Sequence, residues 1–152
     1  MPDKRAIRDV IEQYFYALDS RNLSLLNECF LPQARISILG NERRMGGPDD
    51  IVAAFSGIAE YAATSHFITS HRATINGDTA QSHTLAIAVL VPSPDALISV
   101  RGLDYRDDFV RTMAGWRIEG RVHQAHWQFD TEQTAPALTN TPNHSWPRRP
   151  ES

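Results

Sequence analysis

From Thr64 to Phe129 the chain reads as long β runs punctuated by turn residues, and this meander constrains the fold more than any other feature. Thr64 to Asp78, TSHFITSHRATINGD, reads as one strand closed by Asn76-Gly77-Asp78, the turn chemistry that starts a hairpin. Ala80 to Val91 follows and stops at Pro92-Ser93-Pro94-Asp95; Leu97 to Thr112 turns at Ala114-Gly115 into Trp116 to Phe129. Such runs exceed the usual strand of about five or six residues and suit a strongly curved sheet, bent at residues such as Gly102 and Gly120. Strict alternation along the first run puts His66, Ile68, Ser70, Arg72 and Thr74 on one side, with Phe67, Thr69, His71, Ala73 and Ile75 on the other.

The N-terminal part has a different period. Ala6, Ile7, Val10, Ile11, Tyr14, Phe15 and Leu18 recur at steps of three and four, predicting an amphipathic helix from about Asp3 to Leu18. Asp19-Ser20-Arg21-Asn22 breaks it, as residues that bond their own backbone do. A shorter helix with Leu23, Leu26, Cys29 and Phe30 inward is expected to end at Pro32. Arg35 to Leu39 reads as a short strand and Gly40 to Gly47 as a polar loop. Pro48, Asp49 and Asp50 suit the first turn of a helix running to about Ala63, with Ile51, Val52, Phe55, Ile58 and Ala59 as its stripe. Helices first and a meander after imply an α+β domain over residues 1–130, helices lying in the concavity of a bent sheet. That arrangement encloses a cone, a natural apolar pocket. Residues 131–152 read as an extended or disordered tail in which Trp146 could dock on a neighbour.

Charge and cysteine usage exclude several functions. A net charge of −3 lacks the Lys/Arg excess that nucleic-acid binding needs. No apolar run approaches the ~20 residues that span a bilayer, and MPDKRAIRDV is charged where a signal peptide is apolar. The single cysteine, Cys29, reads as a small buried hydrophobe. A cytoplasmic protein is expected. His123 and His126 have an odd spacing, which puts them on opposite faces of a strand, so no metal site is expected of them.

Three stretches carry a resemblance. Tyr14…Asp19-Ser20-Arg21, then Ser65-His66-Phe67-Ile68, then Tyr105-Arg106-Asp107-Asp108-Phe109-Val110-Arg111…Gly115-Trp116-Arg117-Ile118 resemble the SnoaL-like branch of the NTF2-like superfamily. The resemblance spans roughly Asp3 to Phe129 and implies the NTF2-like cone, or cystatin-like roll. Within it, the group of scytalone dehydratase, bile acid 7α-dehydratase and hexachlorocyclohexane dehydrochlorinase places an aspartate at the end of the first helix. The same group places a histidine early in a long strand. Asp19 and His66 fall on those positions. Tyr14 matches a pocket tyrosine of that group, and Arg111 is the nearest match to an active-site arginine near the final turn. The resemblance further implies self-association as a homodimer or homotrimer through the outer sheet face.

The residues themselves suit proton transfer. A carboxylate bonded to one imidazole nitrogen sets the tautomer and makes the other nitrogen a better acceptor. In an apolar cone such a pair removes a proton beside a leaving group and then protonates the departing hydroxyl, without metal or cofactor. Asp19 and Tyr14 lie about 140° apart around a helix, so both reach one pocket only if it wraps the helix or the helix end unwinds. Phe15, four residues before Asp19, shares its face better and reads as a pocket wall. The expectation is a cofactor-free lyase or isomerase acting on a small, mostly apolar, cyclic or polyketide-like molecule, with His66 as base oriented by Asp19. The rival is a non-catalytic module: a small-ligand binder, or a scaffold that oligomerises through the open sheet face and whose cone is filled by its own aromatic side chains, with His66 packed away.

Overall fold

In a computed structural model that describes residues 2–133, the three-and-four spacing winds Pro2–Asp19 into one helix, α1. Its buried stripe is Ile7, Ile11, Tyr14, Phe15, Ala17 and Leu18. The helix stops where Arg21 takes a left-handed conformation (φ 58°) and the chain turns back.

Two sequence expectations fail in the next segment. Leu23–Glu28 is a 3-10 helix, whose three-residue turn accommodates the Leu23, Leu26, Cys29 spacing as well as an α-helix would. Pro32 does not end a helix but lies inside strand β1, Phe30–Ile38. The ladder from β1 to its neighbour shifts between Phe30 and Arg35, so the missing N–H of Pro32 falls where the pairing is already irregular. The expected polar loop contains a fully exposed edge strand, β2, Asn41–Arg44, paired back on Arg35 to Ile38. Its charge disguised it, as edge strands are blunted by charge. Helix α2, Pro48–Phe55, is shorter than expected and tightens into a 3-10 turn, Ser56–Glu60.

The four long strands fall where the alternation puts them: β3 Ala63–Asn76, β4 Thr79–Val91, β5 Ile98–Thr112 and β6 Gly115–Thr131. They form a six-stranded sheet in the order β2-β1-β6-β5-β4-β3, antiparallel except for β1 on β6. The two helices pack on one face of it, the α+β arrangement expected. The strict alternation assumed along β3 is wrong, because the pairing with β4 slips between Ile68 and Ser70. A bulge there uses one residue without a partner and exchanges the faces. Ile68, Ala73 and Ile75 therefore all pack against the same core. Two further slips on β6, opposite Gly102/Leu103 and Asp108/Phe109, bend the sheet near the two glycines singled out above.

Cys29 is fully buried, and burial pushes its thiol up to about 12, so it packs as a hydrophobe. The core also holds an ion pair. Arg121 Nε and Nη2 donate to the two Asp107 carboxylate oxygens at 2.6 and 2.8 Å, and both side chains are buried. The guanidinium lies 4.2 Å from the Tyr14 ring centroid, 4.7 Å from Tyr105 and 5.4 Å from Phe30. Three aromatic faces compensate a charge that would otherwise be costly to desolvate. Of the tail expected over residues 131–152, Thr131 still belongs to β6, and residues 134–152, Trp146 with them, lie outside the described residues.

Candidate functional site

α1 ends against the first residues of β3, and that junction assembles the site. Asp19 is the last helical residue, and its carboxylate collects three bonds from one strand. Thr64 Oγ1 donates to Oδ1 at 2.8 Å, the His66 backbone N–H donates to Oδ2 at 2.8 Å, and His66 Nδ1 lies 2.7 Å from Oδ1. A carboxylate accepts, so Nδ1 carries the proton and Nε2 is left for a ligand. Arg21 braces the junction from behind: Nη1 donates to Leu18 O at 2.6 Å and to Thr64 Oγ1 at 2.8 Å, and Nη2 donates to Tyr61 O at 3.0 Å. Its left-handed backbone folds the side chain over the helix end. The His66 ring stacks on Phe15 at 5.1 Å and is 5% exposed, so packing as well as bonding holds its orientation.

His66 opens on a cavity of about 190 Å³ between the helices and the inner sheet face. Leu18, Ile38, Phe55, Ile58, Leu90 and Leu103 give its walls an apolar majority. A cavity of ~150 Å³ accepts a benzene-sized molecule, so one small ring fits here. Among the described residues, no aromatic ring fills the cone.

Of the residues picked from sequence, the structure brings Asp19, His66 and Tyr14 together and leaves Arg111 apart. Tyr14 lines the cavity, and burial raises its hydroxyl above the usual phenolic value, so it remains protonated. Tyr14 and Leu18, four residues apart, present one face of α1 to the cavity, and Asp19, off that face, reaches it only through His66, while Phe15, expected as a wall, backs the His66 ring instead. Arg111 lies eight residues beyond Leu103 along β5 (111 − 103 = 8), roughly 25 Å at the usual rise. There it forks onto Asp3 at 2.8 and 3.0 Å, bonds Asp78 at 3.0 Å and covers Trp116 at 4.4 Å. It closes the far end of the domain.

Sequence reasoning missed the sheet wall. Tyr105, His123 and Arg101 line the cavity from β5 and β6. His123 stacks on Tyr105 at 4.4 Å, and its Nε2 has no hydrogen-bond partner. Burial, then the charges of Arg121, His66 and Arg101, lower its pKa to about 3, so its ring is neutral. The expected opposite facing of His123 and His126 holds: His126 is on the outer face, 3.1 Å from Asp104. Weighing His123 only as half of a metal motif hid its position one strand away from Tyr105, which the Tyr105–His123 register now supplies.

Comparison with known proteins agrees with this architecture. The model of the SnoaL-like domain family matches residues 1–122. Uncharacterized proteins of Mycobacterium tuberculosis and Mycobacterium bovis are 30% identical over 132 residues, 83% of this chain and 87% of theirs. Among solved structures, the Kfla4162 protein of Kribbella flavida superposes with a TM-score of 0.76 at 23% identity, over 84% of this chain and 93% of that one. A type 2 hexachlorocyclohexane dehydrochlorinase gives 0.74 at 16% identity, over 90% and 93%. An NTF2-like superfamily protein of Salmonella enterica gives 0.73 at 15% identity, over 91% and 97%. At these identities the solved structures speak for the fold.

Proposed function

The chain belongs to the SnoaL-like domain family, in the NTF2-like superfamily, and on that premise we propose that it is a cofactor-independent lyase or isomerase. Its substrate is a small, mostly apolar cyclic or polyketide-like molecule, and elimination of water is the first assignment. The observation that carries the reading is the 2.7 Å contact between His66 Nδ1 and Asp19 Oδ1 at the wall of an unfilled apolar cavity. In this mechanism Nε2 takes a proton from the carbon next to the leaving group while Asp19 stabilises the imidazolium. The same nitrogen then returns the proton to the departing hydroxyl. Buried and protonated, Tyr14 is the donor available to polarise a substrate oxygen. Apolar walls keep bulk water from competing for the proton. Isomerisation uses the same base and the same acid, with the proton returned to carbon. Arg111 has no part in it.

A panel of hydroxylated and unsaturated small-ring substrates, run on the wild type and on His66→Ala, tests this reading. Loss of turnover in a variant that melts like the wild type supports it, and unchanged turnover overturns it.

Self-association belongs to the same proposal. Phe67, Leu85, Trp127 and Phe129 are exposed on or beside the outer sheet face, more apolar surface than a lone domain usually leaves bare. Sedimentation at micromolar concentration should give the mass of a dimer or trimer, and Phe67→Glu should lower it. No helix is long and apolar enough to cross a membrane among the described residues.

A further inference from the structure

The β1–β2 hairpin turns on two residues, Leu39 and Gly40, between the paired Ile38 and Asn41. Both have positive φ, 50° and 91°, the form of tight hairpin turn that takes Asn-Gly by preference. Asparagine tolerates the left-handed region because its short side chain bonds locally, whereas leucine meets the full clash of its Cβ with the backbone. Leu39 is therefore strained, and its N–H, donated to His123 O at 2.9 Å, ties the turn to β6. Burial does not compensate. Leu39 is 55% exposed, yet it lines the cavity on which His66 opens. Among the described residues one other non-glycine residue has a left-handed backbone, Arg21, which braces the dyad. Both departures from easy backbone geometry border the same site, where strain marks a functional contact. The cavity says what that contact is with. At about 190 Å³ it is little larger than the ~150 Å³ that takes one benzene ring, so a long substituent on the ring has to leave through the mouth. Leu39, Gly57 and Ala125 are the exposed residues that line the cavity and so mark its mouth, and of these Leu39 alone reaches beyond a β-carbon. Half-buried Ile58 and Tyr61 line the cavity too, and the Nε of Arg101 is held by Gln128 at 2.8 Å. A leucine at the rim holds hydrocarbon, because a polar group laid on it would lose water without gaining a partner.

We propose that Leu39 is a specificity-determining residue, and that the substrate's ring carries a hydrocarbon chain which runs out of the cavity mouth across the Leu39 side chain. This narrows the substrate proposed above and rests on its occupying the same cavity. The ring lies inside beside His66, and the chain covers the leucine, so apolar surface leaves water on both partners. Leucine at this turn costs stability in the free protein and adds affinity in the complex. The rim discriminates a chain-bearing ring from a bare one and leaves the proton transfer to the dyad.

The test compares phenol with 4-butylphenol, a bare ring and the same ring with a four-carbon chain, by isothermal titration calorimetry. The wild type should bind 4-butylphenol about tenfold more tightly, what burying roughly two methylenes is worth. Leu39→Asn should remove most of that advantage, leave phenol bound as before and raise the urea midpoint, because asparagine suits the turn. Leu39→Met, apolar and equally strained, should keep both the advantage and the wild-type midpoint. Equal affinity for the two phenols in the wild type, failure of either to bind, or loss of the advantage in Leu39→Met would each overturn the proposal. So would an advantage kept in Leu39→Asn, an equal loss of both phenols there, or a midpoint that does not rise. Turnover keeps this apart from the elimination reading. If His66→Ala abolishes turnover but the wild type shows no advantage for the chain, the rim fails and the dyad stands. An advantage present beside unchanged turnover in His66→Ala gives the reverse.

Discussion

The sheet carries imidazole–carboxylate contacts on both faces. Inside, His66 Nδ1 lies 2.7 Å from Asp19. Outside, Asp104 receives two histidines, His83 Nε2 at 3.0 Å and His126 Nε2 at 3.1 Å, with Arg106 at 3.6 Å. The distances barely differ, but the exposures invert. His66 is 5% exposed and its acid 24%, whereas Asp104 is 7% exposed and its histidines 42% and 55%. Inside, a buried imidazole presents its free nitrogen to an apolar cavity. Outside, a buried carboxylate is capped by imidazoles that water solvates and salt screens. The lesson is that enclosure, more than contact distance, decides which pair can do chemistry.

The sharpest way to break this contrast is to remove the imidazoles in turn. His66→Ala should lower kcat/KM by about 10²–10⁴-fold, while His83→Ala and His126→Ala stay within about twofold. Equal losses on the two faces would dissolve the distinction. The second comparison is between arginines. Arg121→Met strands Asp107 in the core and should cost about 3–5 kcal/mol by urea denaturation, whereas Arg106→Met, on an exposed contact, should cost less than about 1 kcal/mol. Replacing Arg121 and Asp107 together by Met and Leu should recover most of the loss.

A third prediction concerns pH. His123 has a folded pKa lowered to about 3, against about 6.5 when unfolded. Below pH 6.5 the unfolded chain binds a proton that the fold refuses, so this contribution is harmless at neutral pH and destabilises as pH falls toward 3. Between pH 6.5 and 5 the wild type should lose about 1–2 kcal/mol more than His123→Phe, read from the shift in urea midpoint. The smallest effect is expected outside. Burial raises the Asp104 pKa, but the bonds from His83 and His126 outweigh burial and leave it lowered. Its stabilisation is present above the unfolded value of about 3.9 and vanishes as pH falls through the folded one. His126→Ala should cost about 0.5 kcal/mol at neutral pH, and less in high salt.

What could be read in advance follows from which interactions are local. The alternation of β4, the α1 stripe and the Asn76-Gly77 turn depend on neighbours a few positions away, and each lies where the pattern puts it. Pro32 misled because its tolerance depends on a ladder irregularity opposite β6, which no local rule contains. The exchange of faces at Thr69 likewise depends on how β4 pairs. For the site, resemblance supplied Asp19, His66 and Tyr14; His66 and Tyr14 line one cavity, and Asp19 is bonded to the far nitrogen of His66. Arg111 failed because proximity to a turn says nothing about which end of a long strand faces the hollow. Arg101 and His123 were illegible because only the β5–β6 register brings them to one cavity, 22 positions apart (123 − 101 = 22).

The slip at Thr69 has one more consequence. It divides β3 into two half-strands of opposite parity, one belonging to the rim of the hollow and one to its base. Deleting Thr69 would make Ile68 and Ser70 neighbours opposite Ala86 and Leu85, which are neighbours already, so the ladder would close without a bulge and His66, Ala73 and Ile75 would all still face inward. A residue inserted into the regular ladder between Ser70 and Ala73 would force a choice instead. Either His66 stays beside Asp19 and Ala73 and Ile75 turn out to solvent, or the base stays packed and the imidazole swings outside. Length changes in the Asn76-Gly77 loop would be absorbed. A lineage can therefore shorten this strand by its one unpaired residue far more freely than lengthen it.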